Sequence, residues 1–219
     1  MLGGIRDSLR GAPDRATWGD RESDPFASRQ PTSARPPMTR AEVETLGESF
    51  RQALEAVSGR CTLVSGEPAA AERVEGILAE VNARSVAVSD APLVTAVTRR
   101  LRPPRELLQH AEAAALFECD VGMTSAQWAV AETGTLVLES DDERHRLASL
   151  VPPVHIALVS ADRLRPTLAE VLEDMEHRAV RPSPVVTFIT GPSRTSDIEL
   201  TLAIGVHGPR ELYVIVVGE

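Results

Sequence analysis

Apolar positions along the chain follow two kinds of spacing. After Thr39 they recur every three or four residues as far as Val57, which predicts an amphipathic helix. Thr39 and Glu42 also have the spacing of a capping box, a pattern typical of a helix start. Elsewhere the apolar residues form short continuous runs, as in strands that are buried on both faces of a parallel sheet. These runs predict strands at Cys61–Val64, Ser85–Val88, Thr135–Leu138, Val154–Val159, Val185–Thr190 and Leu212–Val217, with a shorter one at Val121.

Helical spacing or helix-start signals fill most of the intervals between these runs. They predict helices at Ala69–Asn82, Leu93–Leu101, Glu106–Phe117, Thr124–Glu132, Thr167–His177 and Asp197–Ile204. Strands and helices therefore mostly alternate, which is typical of chains built from βαβ units. The sequence predicts an α/β fold, a mostly parallel open sheet with helices on both faces.

The first 38 residues differ in composition from the rest. Arg, Asp, Pro and Ser dominate from Gly11 to Pro37, and aliphatic residues are few. Such a segment buries too little apolar surface to offset the conformational entropy lost on ordering it. We therefore expect residues 1–38 to form an N-terminal arm that is partly extended or disordered. Residues 39–219 are then expected to form a single α/β domain.

Composition excludes several kinds of chemistry. All 23 basic residues of the 219-residue chain are arginine, so a Schiff-base lysine, another catalytic lysine and the lysine of a P-loop are ruled out. An anionic ligand must be held by arginine, by backbone N–H groups or by hydroxyls. The net charge of −9 disfavours a general surface for nucleic acid or for anionic membranes.

Cysteine and histidine usage predicts no metal site. Cys61 and Cys119 are far apart in sequence and form no C-x-x-C pair, so they alone cannot hold an iron–sulfur cluster or a structural zinc. The five histidines show no H-x-x-x-H spacing. The chain also lacks an apolar signal segment and any run of transmembrane length, which predicts a cytoplasmic protein without membrane insertion.

The segment Val186–Glu199 carries the strongest pattern for a binding site. It predicts a buried strand, then a polar loop, then the first turn of a helix, where backbone N–H groups favour a carboxylate or a phosphate. Such loops lie at the carboxyl edge of open α/β sheets, where ligands bind. A capping box at Ser196 and Glu199 and a simple turn at Gly191 explain much of the same pattern without a ligand. The predicted ligand-binding residues of this loop are Gly191, Ser193, Arg194, Thr195 and Ser196.

Two further polar turns lie beside predicted strand ends. Glu132 is a candidate general base or nucleophile, and His207 is a candidate for ligand binding or proton transfer. The alternative is structural in both cases, because Glu132 could serve only turn amides and a single histidine in a turn is often structural. The ligand-binding residues predicted around these two positions are Thr124, Thr133, Gly134, Thr135 and Gly208.

Several ordered motifs together resemble the LUD-domain family. They begin with Gly122 and Thr124 and cover most of the chain from Asp120 to its end, with weaker similarity back to Thr39. The motifs are Ala131–Leu138, Leu150–Ile156, Ile189–Glu199 and Gly205–Pro209.

This resemblance implies a fold similar to the NagB/RpiA/CoA transferase-like fold. It also implies a part in the oxidation of L-lactate to pyruvate, together with iron–sulfur lactate-utilization proteins as partners. The clusters are then expected on those partners, with no cofactor bound by this chain. The family gives no established catalytic residue, so Glu132, Arg194 and His207 rest on the loop argument alone.

Three functional hypotheses follow. The first is a non-redox subunit of a multi-protein system oxidising L-lactate to pyruvate, which binds a small carboxylate or phosphate ligand. The second is an independent enzyme of acyl or CoA transfer, or of sugar-phosphate chemistry, with Glu132 as nucleophile or base and Arg194 as the anion clamp. The third is a metabolite-sensing or assembly protein without catalysis, which docks through residues 1–38.

Overall fold

The structure is a computed structural model. It describes residues 38–102, 106–109, 113–140, 143, 146–176, 183–196, 202–204 and 208–218, of which 113, 195–196 and 202–204 are described by their backbone alone. The predicted arm lies outside these residues except for Met38. His207 lies outside them as well.

A six-stranded sheet forms the centre of the fold, and all its strands are parallel. Its order is β1-β12-β7-β4-β2-β3. The strands are β1 (Arg60–Ser65), β2 (Ser85–Val88), β3 (Glu106–Gln109), β4 (Val121–Ala126), β7 (Val154–Ser160) and β12 (Glu211–Gly218). Because every strand runs the same way, all amino ends lie at one edge of the sheet and all carboxyl ends at the other.

A second sheet of four short strands has the order β8-β5-β6-β9. Its strands are β5 (Trp128–Val130), β6 (Thr135–Glu139), β8 (Leu164–Arg165) and β9 (Val186–Thr190). The β5–β6 and β6–β9 pairs are antiparallel, whereas β5 and β8 are parallel. A separate antiparallel pair joins β10 (Arg194–Ser196) to β11 (Leu202–Ile204).

Helices and the second sheet cover the two faces of the parallel sheet. The helices are α1 (Arg40–Ala56), α2 (Gly66–Glu80), α3 (Pro92–Thr98), α4 (Ala113–Leu116) and α5 (Leu168–Glu176). On one face, α2 and α3 pack on alternate strand residues such as Ile156 and Ile215. On the other face, α1 and the second sheet pack on the intervening residues, such as Ala157 and Val214. The predicted α/β fold with a parallel sheet is confirmed.

The capping box that the sequence predicts at the start of α1 is formed by Thr39 and Glu42. The Thr39 backbone N–H donates to Glu42 Oε2 at 2.7 Å, and the Glu42 backbone N–H donates to Thr39 Oγ1 at 3.3 Å. The capping box is therefore present. Phe50 and Leu54, which have helical spacing in the sequence, are both fully buried against the sheet.

Three predicted helices are wrong where the structure describes them. Thr124–Glu132 begins within β4 and continues into β5, and Glu106–Phe117 is divided between β3 and α4. Of Asp197–Ile204, the described residues 202–204 form β11, while 197–201 lie outside the described residues. Short apolar runs without alternation fit a buried strand and a buried helix equally well, and here long-range strand pairing decided the outcome.

None of the helices in the described part of the chain has the length and the apolar character needed to cross a membrane.

Candidate functional site

Most of the predicted loop residues meet at the amino edge of the parallel sheet. Thr135 of β6 pairs with Thr190 of β9, and their Oγ1 atoms are 2.8 Å apart. Thr135 Oγ1 is also 2.7 Å from Thr133 Oγ1. We call Thr133, Thr135 and Thr190 the threonine chain. Its middle hydroxyl is buried while Thr133 and Thr190 are exposed, so the chain presents hydroxyl groups to solvent at both ends.

Two glycines hold the turns beside the threonine chain against the end of α1. Gly134 and Gly191 have positive φ values of 64° and 74°. A Cβ on Gly134 would lie 2.4 Å from the Leu54 backbone nitrogen, and one on Gly191 would lie 2.6 Å from the Val57 carbonyl oxygen. Both positions therefore require glycine for the backbone conformation and for close approach to α1.

Arg194 also contacts the end of α1. Its Nη2 donates to the Val57 carbonyl oxygen at 2.7 Å and to Ser58 Oγ at 2.6 Å. A guanidinium at this place completes the last turn of a helix and lies at the negative end of its dipole. Arg194 thus has a structural role whether or not a ligand binds.

The predicted setting of this loop is wrong in two respects. Arg194–Ser196 is a strand paired with β11, so the described residues that follow Gly191 form a strand and not the first turn of a helix. The loop also lies at the amino edge of the parallel sheet: the Ser193 backbone N–H donates to the Pro209 carbonyl oxygen at 2.8 Å, just before β12 begins. A Cβ on Gly208 would lie 3.1 Å from Ser193 Cβ, so these two residues are neighbours. Among the described residues of this loop, the groups that suit an anion are Arg194 and the hydroxyls.

The side chains of Glu132 and Thr124 contact other parts of the molecule. Glu132 is exposed, and its Oε1 accepts from the Leu168 backbone N–H at 2.8 Å, at the first residue of α5. Thr124 is fully buried in β4, with Oγ1 2.8 Å from His155 Nε2. Burial lowers the pKa of His155 to about 3, so this histidine is neutral near pH 7. His155 is therefore a buried, hydrogen-bonded residue of β7. Thr195 and Ser196 belong to β10 by their backbone.

A cleft of about 930 Å³ opens at the opposite, carboxyl edge. The ends of β1, β7 and β12 line it at Ser65, Ser160 and Gly218, together with residues from the first turns of α1 and α2. Its charged lining residues are Arg40, Glu44, Glu67 and Asp162.

A buried carboxyl group lies at the same edge, between β2 and β4. Glu143 has no exposed surface, and its Oε2 accepts from the Ser125 backbone N–H at 2.9 Å and from Ser125 Oγ at 3.4 Å. The Ser89 side chain acts on this carboxyl group as well and favours its charged form. Burial raises the pKa of Glu143 to about 7, against these hydrogen bonds and with the nearby Asp90 adding to the increase.

Sequence reasoning missed Glu143. It stands in the acidic and basic run Asp141–Arg146, which has the pattern of a solvated loop. No local signal shows that this one carboxylate is covered, because its burial depends on strands β2 and β4, which are distant in sequence. Strongly perturbed carboxyl groups in sheet crevices are candidates for functional sites.

The described residues include no group of three or more His, Cys, Asp and Glu side chains that could hold a metal ion. Both cysteines are free thiols. Burial raises the pKa of Cys61 to about 12 and also raises that of Cys119. Neither thiol is a thiolate at neutral pH, and so neither has the reactivity of a nucleophilic cysteine.

The sequence matches a family model and several known proteins over much of its length. The family model described as LUD domain matches residues 47–217. A protein named Lactate utilization protein C from Halalkalibacterium halodurans is 34% identical over 156 residues, which are 66% of this chain and 68% of that protein. A protein of the same name from Deinococcus radiodurans is 42% identical over 143 residues, 63% of this chain and 64% of its own. The chain thus spans about two thirds of the length of these relatives.

One solved structure has a similar fold. The crystal structure of a DUF162 family protein from Deinococcus radiodurans is 27% identical, with a TM-score of 0.59. The match covers 83% of this chain and 100% of that one.

Proposed function

The chain belongs to the LUD-domain family, and we propose that it is a component of a lactate-utilization system. The family match covers most of the chain. Curated relatives that bear the name Lactate utilization protein C, at 34% and 42% identity, are the observation that carries this proposal.

Within such a system, we propose that this chain is a non-redox subunit and that iron–sulfur clusters reside on partner proteins. Two cysteines are too few for the four thiolates that usually hold a cluster. Cys61 lies in β1 and Cys119 just before β4, in different packing clusters. The two electrons released when lactate becomes pyruvate would then pass to the partners.

We propose that the subunit binds a small carboxylate beside the threonine chain. Thr133 and Thr190 are exposed hydroxyls that can donate to a carboxylate oxygen or accept from an alcohol. Arg194 is exposed near them, and both of its hydrogen bonds to described residues use Nη2, so we expect Nη1 and Nε to contact the ligand. A guanidinium held at one end in this way loses less freedom when it binds an anion.

Reconstitution with the iron–sulfur partner proteins tests the subunit role. Lactate-dependent reduction of an artificial electron acceptor is expected at full rate only when this chain is present. Partners that oxidise lactate at the full rate without the chain would refute the proposal.

Calorimetric titration with L-lactate and pyruvate tests the ligand site separately. Wild type is expected to bind at least one of them, and Arg194→Ala is expected to weaken binding at least about tenfold, since a hydrogen bond to a charged group is lost. Arg210→Ala is the matched control, because Arg210 is an exposed arginine at the same edge of the sheet. Equal binding by wild type and Arg194→Ala would show that the ligand does not bind at this loop.

A further inference from the structure

The cleft at the carboxyl edge lies where the chain passes to opposite faces of the parallel sheet. After β1 the chain continues into α2 on one face, and after β7 it continues into the second sheet on the other face. Strand β12 lies between β1 and β7, and its last residue, Gly218, lines the cleft. Open α/β sheets bind ligands in the crevice between connections that go to opposite faces. The cleft is therefore in the position where this kind of sheet favours a ligand.

The cleft is large and has a floor of small residues. Ser65 of β1 pairs with Gly218, and Ser160 of β7 pairs with Val217, so two hydroxyls flank a glycine across three strand ends. The volume of about 930 Å³ lies at the upper end of the roughly 300–1,000 Å³ of clefts that hold a drug-sized ligand. A molecule as small as lactate would leave most of this space to water. The cleft thus suits a ligand of considerably greater size.

Apolar side chains line the cleft on both of its sides. Val43 belongs to α1, which packs on one face of the sheet, and Leu93 belongs to α3, which packs on the other. Val216 and Val217 add apolar surface at the end of β12. A flat, largely apolar ring between these walls would be covered from two sides, which favours its transfer from water.

The charged groups of the cleft restrict the rest of the ligand. Among the described lining residues they are Arg40, Glu44, Glu67 and Asp162. Three carboxylates against one guanidinium disfavour an anion. A cation would compete with arginine, since Arg40 Nε donates to Glu44 Oε1 at 2.9 Å and Arg100 Nη2 donates to Glu67 Oε2 at 3.1 Å. An alcohol hydroxyl can donate to these carboxylates while the ion pairs persist, because a carboxylate accepts about four hydrogen bonds.

We propose that this cleft binds an uncharged nucleoside, with its base between the walls formed by α1 and α3 and its ribose hydroxyls donating to Glu67. A nucleoside joins a flat ring to neighbouring hydroxyls, which are the two features that the lining selects. Glu67 is the carboxylate expected to hold the ribose, because it is half-buried directly after the β1 strand end, whereas Glu44 and Asp162 are exposed. The threonine chain lies at the opposite edge of the sheet, so this site is independent of the lactate proposal.

Equilibrium dialysis of the full chain against labelled adenosine tests the site. Adenosine is expected to bind, and adenine and D-ribose are each expected to bind at least about tenfold more weakly, because each supplies half of the contacts. AMP is expected to bind more weakly than adenosine, because its phosphate brings negative charge towards the three carboxylates.

Two glutamate variants separate the ribose contact from a general change of charge. Glu67→Gln is expected to weaken adenosine binding about three- to tenfold, because hydrogen bonds to a charged acceptor become hydrogen bonds to a neutral one. Glu75→Gln is the matched control and is expected to bind as wild type does. Glu75 lies on the same helix and accepts from the Arg102 backbone N–H at 2.6 Å, but it does not line the cleft.

A third variant fills the cleft and leaves its charges unchanged. A Cβ on Gly218 would meet only the Val64 carbonyl oxygen, at 3.6 Å, so Gly218→Val is expected to fold normally and to weaken adenosine binding at least about tenfold. Its unfolding temperature provides the check on folding. Arg194→Ala is expected to bind adenosine as wild type does, which distinguishes this site from the proposed carboxylate site. The proposal is overturned if adenosine does not bind, if Gly218→Val binds as wild type does, or if AMP, adenine or D-ribose binds as tightly as adenosine.

Discussion

At the scale of single residues, the structure gives several predicted site residues a packing role. Gly134 and Gly191 stand where any Cβ would enter the backbone of α1. Arg194 completes the end of that helix, and Glu132 serves the start of α5. These roles do not exclude ligand binding, but they mean that loss of activity in a variant must be separated from loss of stability.

The glycine at position 134 provides a direct test of the packing argument. Gly134→Ala is expected to lower the free energy of unfolding by roughly 2–4 kcal/mol, because the residue needs a positive φ and its Cβ would meet the Leu54 backbone. Gly76→Ala is the matched control. Gly76 lies within α2, where an added Cβ would be 3.5 Å from the end of the flexible Arg73 side chain, and alanine there is expected to raise stability by about 0.5–1 kcal/mol. Urea unfolding measures both, and equal effects of the two variants would contradict the argument.

At the scale of elements, the helices and most of the strands follow from pattern and local chemistry. The capping box and the apolar spacing locate α1, and continuous apolar runs locate β1, β7 and β12. The errors fall on β3, β4, β5 and β11, where a predicted helix covers residues that pair as strands. Such strands exist because neighbouring strands satisfy their backbone groups, and those neighbours are distant in sequence.

The start of α5 tests whether Glu132 is only a helix cap. Glu132→Ala is expected to lower the free energy of unfolding by about 1 kcal/mol, because the Leu168 backbone N–H loses its acceptor. Glu132→Gln keeps an oxygen acceptor and is expected to lose less than Glu132→Ala. Thermal unfolding of both variants, set beside their rates in the reconstituted lactate assay, separates the roles. A rate that collapses in Glu132→Gln at unchanged stability would point to catalysis by Glu132.

At the scale of the whole molecule, the buried groups His155 and Glu143 have opposite effects on how the free energy of unfolding changes with pH. His155 has a folded-state pKa of about 3 against an ordinary 6.5, so the unfolded chain binds more protons and stability rises with pH between these values. Glu143 has a folded-state pKa of about 7 against an ordinary 4.5, so the folded chain binds more protons and stability falls with rising pH between them. Between pH 4.5 and 6.5 the two slopes cancel.

Replacing Glu143 should remove its contribution to the pH dependence of the free energy of unfolding and leave that of His155. Glu143→Gln is expected to become more stable with rising pH from about 4.5 to 6.5, at up to about 1.4 kcal/mol per pH unit, while the contributions of the two groups leave wild type nearly flat there. Urea unfolding at half-unit pH steps measures the difference between the two proteins. Parallel stability curves would show that Glu143 titrates in the folded protein as it does in the unfolded chain.

The sequence by itself determined the class of fold, the helix α1 with its cap, the strands β1, β2, β7 and β12, and the family. These features depend on the order of apolar and polar residues and on contacts a few residues apart, which a sequence displays directly. The tertiary structure decided which sheet each strand joins, that the Gly191 loop lies at the amino edge beside a helix C-terminus, and that Glu143 is buried at the carboxyl edge. Each of these depends on hydrogen bonds and burial between residues that are distant in sequence. A pattern of apolar residues indicates which positions are buried, but it does not show which parts of the chain bury them.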